Sequence, residues 1–196
     1  VYTKLKQHYH CAQAIFATYA SDYGMDQETA YRTMACFAAG MYRGSVCGCV
    51  TAALAVLGLA YGFSDTKDRE REIFGTKIAE EFVDRFQERM EGKFNCADIL
   101  ENNINTAEGM ASIRREGMIK KKCTQAIQTS IEILEDMLWA YPDMLAGKPA
   151  EPSCDEQEIE KITYLVKRAQ KIQHFESNVR CLLYTSPSPR DPKTSR

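Results

Sequence analysis

The stretch that decides the fold is Arg43-Gly-Ser-Val-Cys-Gly-Cys-Val-Thr-Ala-Ala-Leu-Ala-Val-Leu-Gly-Leu-Ala-Tyr-Gly62. No charged residue lies between Ser45 and Phe63, so a helix formed here is apolar on every side and must be surrounded by protein or by lipid. The stretch is rich in Ala and Gly, no basic flank marks a cytoplasmic side, and the neighbouring segments are amphipathic. We therefore predict a central buried helix rather than a membrane span.

The sequence on both sides of this stretch has helical periodicity, and no segment shows the sustained two-residue alternation of a strand. The clearest repeat places Phe74, Ile78, Phe82, Phe86 and Met90 at every fourth position. The predicted helices span residues 10–22, 26–40, 45–63, 65–90, 96–100, 105–117 and 118–141. We predict an all-α fold, an up-and-down helical bundle around the central buried apolar helix, with no sheet.

The chain divides into four predicted parts. Residues 1–145 form the cysteine-motif helical domain, 146–152 a Pro/Gly loop, and 153–180 an accessory C-terminal helix. Residues 181–191 resemble the translation of a sequencing adaptor, so 181–196 are interpreted as an artefact tail and excluded from functional reasoning. The chain begins with Val1 rather than Met, and we expect further residues before it.

Charge and targeting signals restrict the partners. The 25 basic and 27 acidic residues give a formal net charge of −2, and the only basic run is 120–122. A mildly acidic chain without a basic stripe is a poor nucleic-acid binder. We expect no nucleic-acid or membrane partner, leave a homodimer open, and expect a cytoplasmic protein with reduced thiols because no signal peptide is visible.

Four cysteines have a regular placement. Cys11, Cys47, Cys96 and Cys123 open the first, third, fifth and seventh predicted helices. Alternate helices of an up-and-down bundle run parallel, so the four thiols would meet at one end of the molecule. The free N–H groups and positive dipole of a helix start favour thiolate, the form that binds metal or attacks disulfides. Cys36, near the end of the second helix, is a fifth candidate metal ligand.

Two further cysteines are interpreted as packing residues. Residues two apart on a helix point about 200° apart, so Cys49 is not expected to share a face with Cys47. Cys154 has no comparable placement. Free cysteine is commonly buried as a small hydrophobe, and for any single cysteine that reading is the stronger one.

An ordered set of motifs carries a family resemblance. The set comprises His10-Cys11-Ala12-Gln13-Ala14, the turn at 38–44, Val46-Cys47-Gly48, Leu57-Gly58-Leu59, the run at 95–100, and Cys123 before Ile131-Glu132-Ile133-Leu134. Over about residues 8–140 the chain resembles the C_GCAxxG_C_C family of redox-active proteins. The resemblance implies that Cys11, Cys47, Cys96 and Cys123 are the four signature cysteines of the family. This sequence departs from the family pattern at Cys49, where the family has Ala, and at Ala52, where the family has Gly.

The resemblance also bears on the cofactor. The family is similar to a domain of split-Soret cytochromes, which implies an iron–sulfur cluster, and this chain has no Cys-x-x-Cys-His sequence for attaching haem. The leading hypothesis is therefore that the four signature cysteines bind an iron–sulfur cluster, or zinc, for electron transfer with a redox partner protein that the sequence does not identify.

Two alternatives remain open. The same cysteines could work as a thiol–disulfide redox protein or sensor, although no Cys-x-x-Cys pair is present. The chain could instead be a non-catalytic helical interaction module in which the cysteines only pack. The sequence offers no nucleophile, base and orienting set and no phosphate loop, so no enzymatic activity is assigned.

Overall fold

The computed structural model describes residues 1–141, and within that range the chain forms eight α-helices. They are α1 (Tyr2–Lys6), α2 (Cys11–Tyr19), α3 (Gln27–Met34), α4 (Gly48–Tyr61), α5 (Arg69–Arg89), α6 (Cys96–Leu100), α7 (Ala107–Arg115) and α8 (Thr124–Ala140). This part of the chain has no strand, only one isolated antiparallel bridge between Val46 and Asn95. The all-α prediction is confirmed. The predicted loop at 146–152, the helix at 153–180 and the tail at 181–196 lie outside the described residues.

Helix α4 is the common neighbour of the longer helices, because it packs against α2, α5 and α8. Its buried positions include Val50, Val56 and Tyr61, none of which is exposed to solvent. The burial is incomplete on one side, where Gly58 is exposed and Ala55 is partly so. Leu54 and Leu59 are also partly exposed. None of the helices within residues 1–141 combines the length and the apolarity needed to cross a membrane.

Helix α5 presents the predicted apolar stripe to the core. Ile78, Phe82, Phe86 and Met90 are buried, while Phe74 is partly buried. Burying one phenylalanine side chain contributes about 1.5–3 kcal/mol, so Phe82 and Phe86 make this helix a main source of stability. The helix begins at Arg69 rather than near 65, because Asp68 caps it by accepting a hydrogen bond from the Arg71 N–H at 3.0 Å.

Two buried tyrosines connect α8 to the rest of the core. The Tyr61 hydroxyl donates to the Met137 carbonyl oxygen at 2.9 Å, which joins α4 to α8. The Tyr19 hydroxyl donates to the Glu135 carboxylate, which joins α2 to α8. Each bond satisfies a polar group that would otherwise be costly to bury, and each fixes the lengthwise position of α8 against its neighbours.

Several predicted helices are shorter in the structure because tighter turns finish them. A 3-10 turn, Ala20–Tyr23, follows α2, and Gly24 stops it with a φ of 79°. Another 3-10 turn, Ala35–Phe37, follows α3, so the helix predicted over 26–40 ends at Met34. The last helix starts near Met118 as predicted, but its first turn, Ile119–Cys123, has the wider π spacing.

Candidate functional site

Main-chain pairing brings the segments that carry Cys47 and Cys96 together. Around the bridge between Val46 and Asn95, the Cys47 N–H donates to the Phe94 carbonyl oxygen at 3.0 Å. The Cys96 N–H donates to the Ser45 carbonyl oxygen at 2.7 Å. Both side chains are nearly buried, at 5% and 7% exposed respectively. Two of the four predicted site cysteines are therefore fixed relative to each other by backbone hydrogen bonds.

A left-handed turn delivers the chain to this pairing. Ala39, Gly40, Met41 and Tyr42 all have φ between 51° and 61°. At Gly40 the conformation requires glycine for a second reason, because a Cβ there would lie 2.3 Å from the Ser45 carbonyl oxygen. Left-handed backbone costs non-glycine residues roughly 1–2 kcal/mol each, so the turn stores strain immediately before Cys47.

The start of α2 meets the start of α4 at Gly48. A Cβ built on Gly48 would lie 3.0 Å from the Cys11 sulfur, 3.2 Å from the Ala12 Cβ and 2.8 Å from the Phe37 carbonyl oxygen. Only a residue without a side chain allows this approach. The predicted site residue Cys11 thus lies directly against the residue that follows Cys47.

Cys49 interacts with two of the signature cysteines, Cys11 and Cys47, so it is more than the packing residue that the sequence indicates. Its side chain is 1% exposed, and interactions with the side chains of Cys11 and Cys47 are the largest causes of the raised pKa of its thiol. The angular argument fails because Cys47 is not a helical residue. With φ −57° and ψ 135° it is the N-cap of α4, so its side chain does not follow the helical spacing. The extra signal in the sequence is the Cys-Gly-Cys run at a helix start.

Cys123 lies near the other three signature cysteines. It ends the π turn before α8 and packs, half-buried, against an apolar group. That group consists of Cys96, Leu100, Ile113 and Met118, with Ile104 and Met110 beside it. The charges of Cys11, Cys47 and Cys96 raise the pKa of the Cys123 thiol in addition to the larger effect of burial, so these four cysteines lie within electrostatic reach of one another.

Cys36 lies apart from this group. It is exposed in the 3-10 turn after α3, and it causes none of the pKa shifts of the other cysteines. Lys122, which directly precedes Cys123, pairs with the carboxylate of Glu101 at 3.2 Å, and Lys93 pairs with the same carboxylate at 2.7 Å.

The thiols differ in acidity. The pKa of Cys11 is lowered, mainly by the hydrogen bond from Cys49 and further by the N–H groups of Ala12 and Cys11 itself. The pKa of Cys49 is raised well above its usual range, since its proton is held in hydrogen bonds with Cys11 and Cys47 and the side chain is buried. Burial, with the charges of Cys47 and Cys11, raises the pKa of Cys96 to about 12.

The expectation that each helix start favours thiolate is therefore wrong for Cys96 and Cys123. Burial and repulsion from neighbouring sulfurs outweigh the helix dipole at these positions. Cys123 also lies about one turn into a helix that begins near Met118, so it is not at the dipole end. Cys11, the first residue of α2, has the expected direction of shift.

The sulfurs fit a soft metal by chemistry, since thiolates select zinc and iron–sulfur centres. Across residues 1–141, however, no three or more His, Cys, Asp or Glu side chains form a ready-made site for a metal ion. The main-chain N–H of His10, which precedes Cys11, donates to the Gln13 side-chain oxygen at 3.2 Å. Sulfur ligands are present, but the sulfurs would have to lie closer together to bind a single metal ion.

Comparison with known proteins supplies the family. No curated protein and no solved structure matches the chain. A family model described as "Putative redox-active protein (C_GCAxxG_C_C)" matches residues 9–137, a range that contains the four signature cysteines together with Cys36 and Cys49. The chain therefore belongs to the C_GCAxxG_C_C family of redox-active proteins.

Proposed function

We propose that Cys11, Cys47, Cys96 and Cys123 bind an iron–sulfur cluster through which the protein transfers electrons. The observation that supports the proposal is that these four thiols, from four separate elements, lie within electrostatic reach of one another. The elements are α2, the N-cap of α4, α6 and the turn before α8.

The surroundings of the thiols suit such a centre. A cluster supplies one-electron chemistry at a potential set by burial and by hydrogen bonds to the sulfurs. In this chain, burial of Cys47 and Cys96 excludes water, and the N–H groups of Cys11 and Ala12 lower the pKa of the Cys11 thiol. Both effects are those by which a protein sets the potential of a bound cluster.

Zinc is the less favoured occupant. Four sulfurs bound to one zinc ion at about 2.3 Å in tetrahedral geometry lie roughly 3.8 Å from one another. Zinc also does not change its oxidation state, so it would not supply the redox activity that the family description names. A cluster distributes its ligands over several iron atoms and accepts more widely spaced sulfurs.

The proposal is tested by metal analysis without oxygen. The protein, purified anaerobically and reconstituted with iron and sulfide, should be brown and contain both elements. Cys96→Ser should lose most of the bound iron. Cys36→Ser changes an exposed cysteine that is not one of the four signature cysteines, and it should retain the iron. A colourless, metal-free wild-type protein after reconstitution would overturn the proposal.

A thiol–disulfide role for two of the four signature cysteines is the second candidate, and the lowered pKa of Cys11 favours it. In that case oxidation would link two of the four, and the iron content of all preparations would be negligible. Negligible iron in all preparations without any such link would instead support the interaction module, in which the cysteines only pack.

A further inference from the structure

Cys49 is a fifth thiol at the centre of the cysteine cluster, at a position where the family pattern has Ala. It is the second residue of α4 and is almost fully buried, and Gly48, the residue before it, lies against the Cys11 sulfur, which is 3.0 Å from where a Gly48 Cβ would be. Interactions with the Cys11 and Cys47 side chains also raise the pKa of its thiol. Cys11 is less buried than Cys49 and is the more accessible of the two. A buried thiol in contact with a more accessible one is the arrangement of a dithiol that can be oxidised in two steps.

We propose that Cys11 and Cys49 form a reversible disulfide when the metal-free protein meets a peroxide. The two residues begin separate helices whose starts touch at Gly48, so the new bond would join α2 to α4 where they already meet. A bond between Cys47 and Cys49 is disfavoured, because it would close a small ring around one residue and break the first turn of α4.

The chemistry balances with hydrogen peroxide as the oxidant. The Cys11 sulfur attacks one peroxide oxygen, the O–O bond breaks, and one water leaves as Cys11 becomes a sulfenic acid. The Cys49 sulfur then attacks the Cys11 sulfur, the S–O bond breaks, and a second water leaves. In total two thiols lose two protons and two electrons, and one peroxide becomes two waters. An external dithiol reverses the change by exchange.

The disulfide has a consequence for the signature cysteines. Cys11 cannot ligate iron while it is bonded to Cys49, so oxidation of the empty protein would prevent loading of a cluster. The inference concerns the metal-free chain and goes beyond the proposed function, since it holds whatever the four signature cysteines bind.

The test uses the full chain, reduced and freed of metal with a chelator, then treated with hydrogen peroxide and alkylated. We expect an intact mass lower by about 2 Da before alkylation. Trypsin should release residues 7–32 linked to 44–67, the peptides that contain Cys11 and Cys49. Fragmentation should locate the link at Cys49 rather than Cys47, and reductant should remove it.

Matched variants decide the assignment. Cys49→Ala and Cys49→Ser, each checked for native helix content, should both lose the link, whereas Cys36→Ala should retain it. Persistence of the link in both Cys49 variants, or its absence from the wild type, would overturn the inference. Iron loading of reduced Cys49→Ala reports separately on the proposed function, because that variant retains all four signature cysteines.

Discussion

At the scale of single residues, Gly48 sets how closely α2 and α4 approach. A methyl group there would press on the Phe37 carbonyl oxygen at 2.8 Å, which is backbone and has little freedom to move. We expect Gly48→Ala to lower the free energy of unfolding by about 1–3 kcal/mol, measured by urea denaturation. The same variant should weaken iron binding, because it displaces Cys11 from Cys47.

The matched control is Gly58→Ala in the same helix. A Cβ on Gly58 meets no atom within 4 Å, so the substitution adds helix propensity without a clash. It should raise the free energy of unfolding by about 0.5–1 kcal/mol. If both variants changed stability in the same direction, the close contact at Gly48 would not be what limits that position.

The sequence predicts some of the cysteines of the candidate site but not all of them. The four signature cysteines could be named from their places at helix starts and from the family motifs. Membership of Cys49 in the cluster could not, because it depends on the backbone angles of Cys47. A cap residue and a helical residue look alike in sequence, and the direction of the neighbouring side chain differs between them.

At the scale of elements, the left-handed turn before Cys47 holds non-glycine residues at a cost. Ala39 has φ 51° and ψ 36° there. Ala39→Gly should therefore raise the free energy of unfolding by about 1 kcal/mol, measured by thermal or urea denaturation. The reason is that glycine adopts these angles without strain.

The preceding residue provides the control. Ala38 has φ −67° and ψ 154°, an unstrained extended conformation, and its methyl group is buried. Ala38→Gly should lower stability by about 1 kcal/mol through lost burial and a more flexible unfolded chain. A stabilising effect at both positions would mean that the gain does not come from relief of left-handed strain.

Helices with a strong apolar repeat were predictable, and irregular elements were not. The α5 stripe follows from its four-residue repeat and the apolar α4 from its lack of charged residues, since burial of those side chains is what stabilises the helices. The left-handed turn contains Ala39, Met41 and Tyr42, none of which favours such angles. Tertiary contacts impose the conformation there, and local propensity gives no sign of it.

At the scale of the whole molecule, buried thiols couple stability to pH. The pKa of Cys96 is about 12 in the folded protein, against an ordinary value of 9.0. Below pH 9 the thiol is protonated in both states, and between pH 9 and 12 only the unfolded chain loses its proton. The stability of the metal-free protein should therefore fall over this interval, by on the order of 3–4 kcal/mol from Cys96.

Urea denaturation at a series of pH values, with metal removed, checks this dependence. Cys96→Ala should make the decline between pH 9 and 12 less steep, because one of the perturbed thiols is gone while those of Cys49 and Cys123 remain. Cys36→Ala removes an exposed thiol and should leave the slope unchanged. An identical slope in wild type and Cys96→Ala would contradict the prediction.

Because of the pairing around the bridge between Val46 and Asn95, the residues at positions 45 and 94 can vary without disturbing the alignment of Cys47 with Cys96. The bonds that align Cys47 with Cys96 run from their N–H groups to carbonyl oxygens of Phe94 and Ser45, and every amino acid carries such a carbonyl. The side chains of Ser45 and Phe94 can therefore be replaced without loss of the hydrogen bonds that align Cys47 with Cys96. Insertion or deletion of one residue in either segment is the change that would break this alignment.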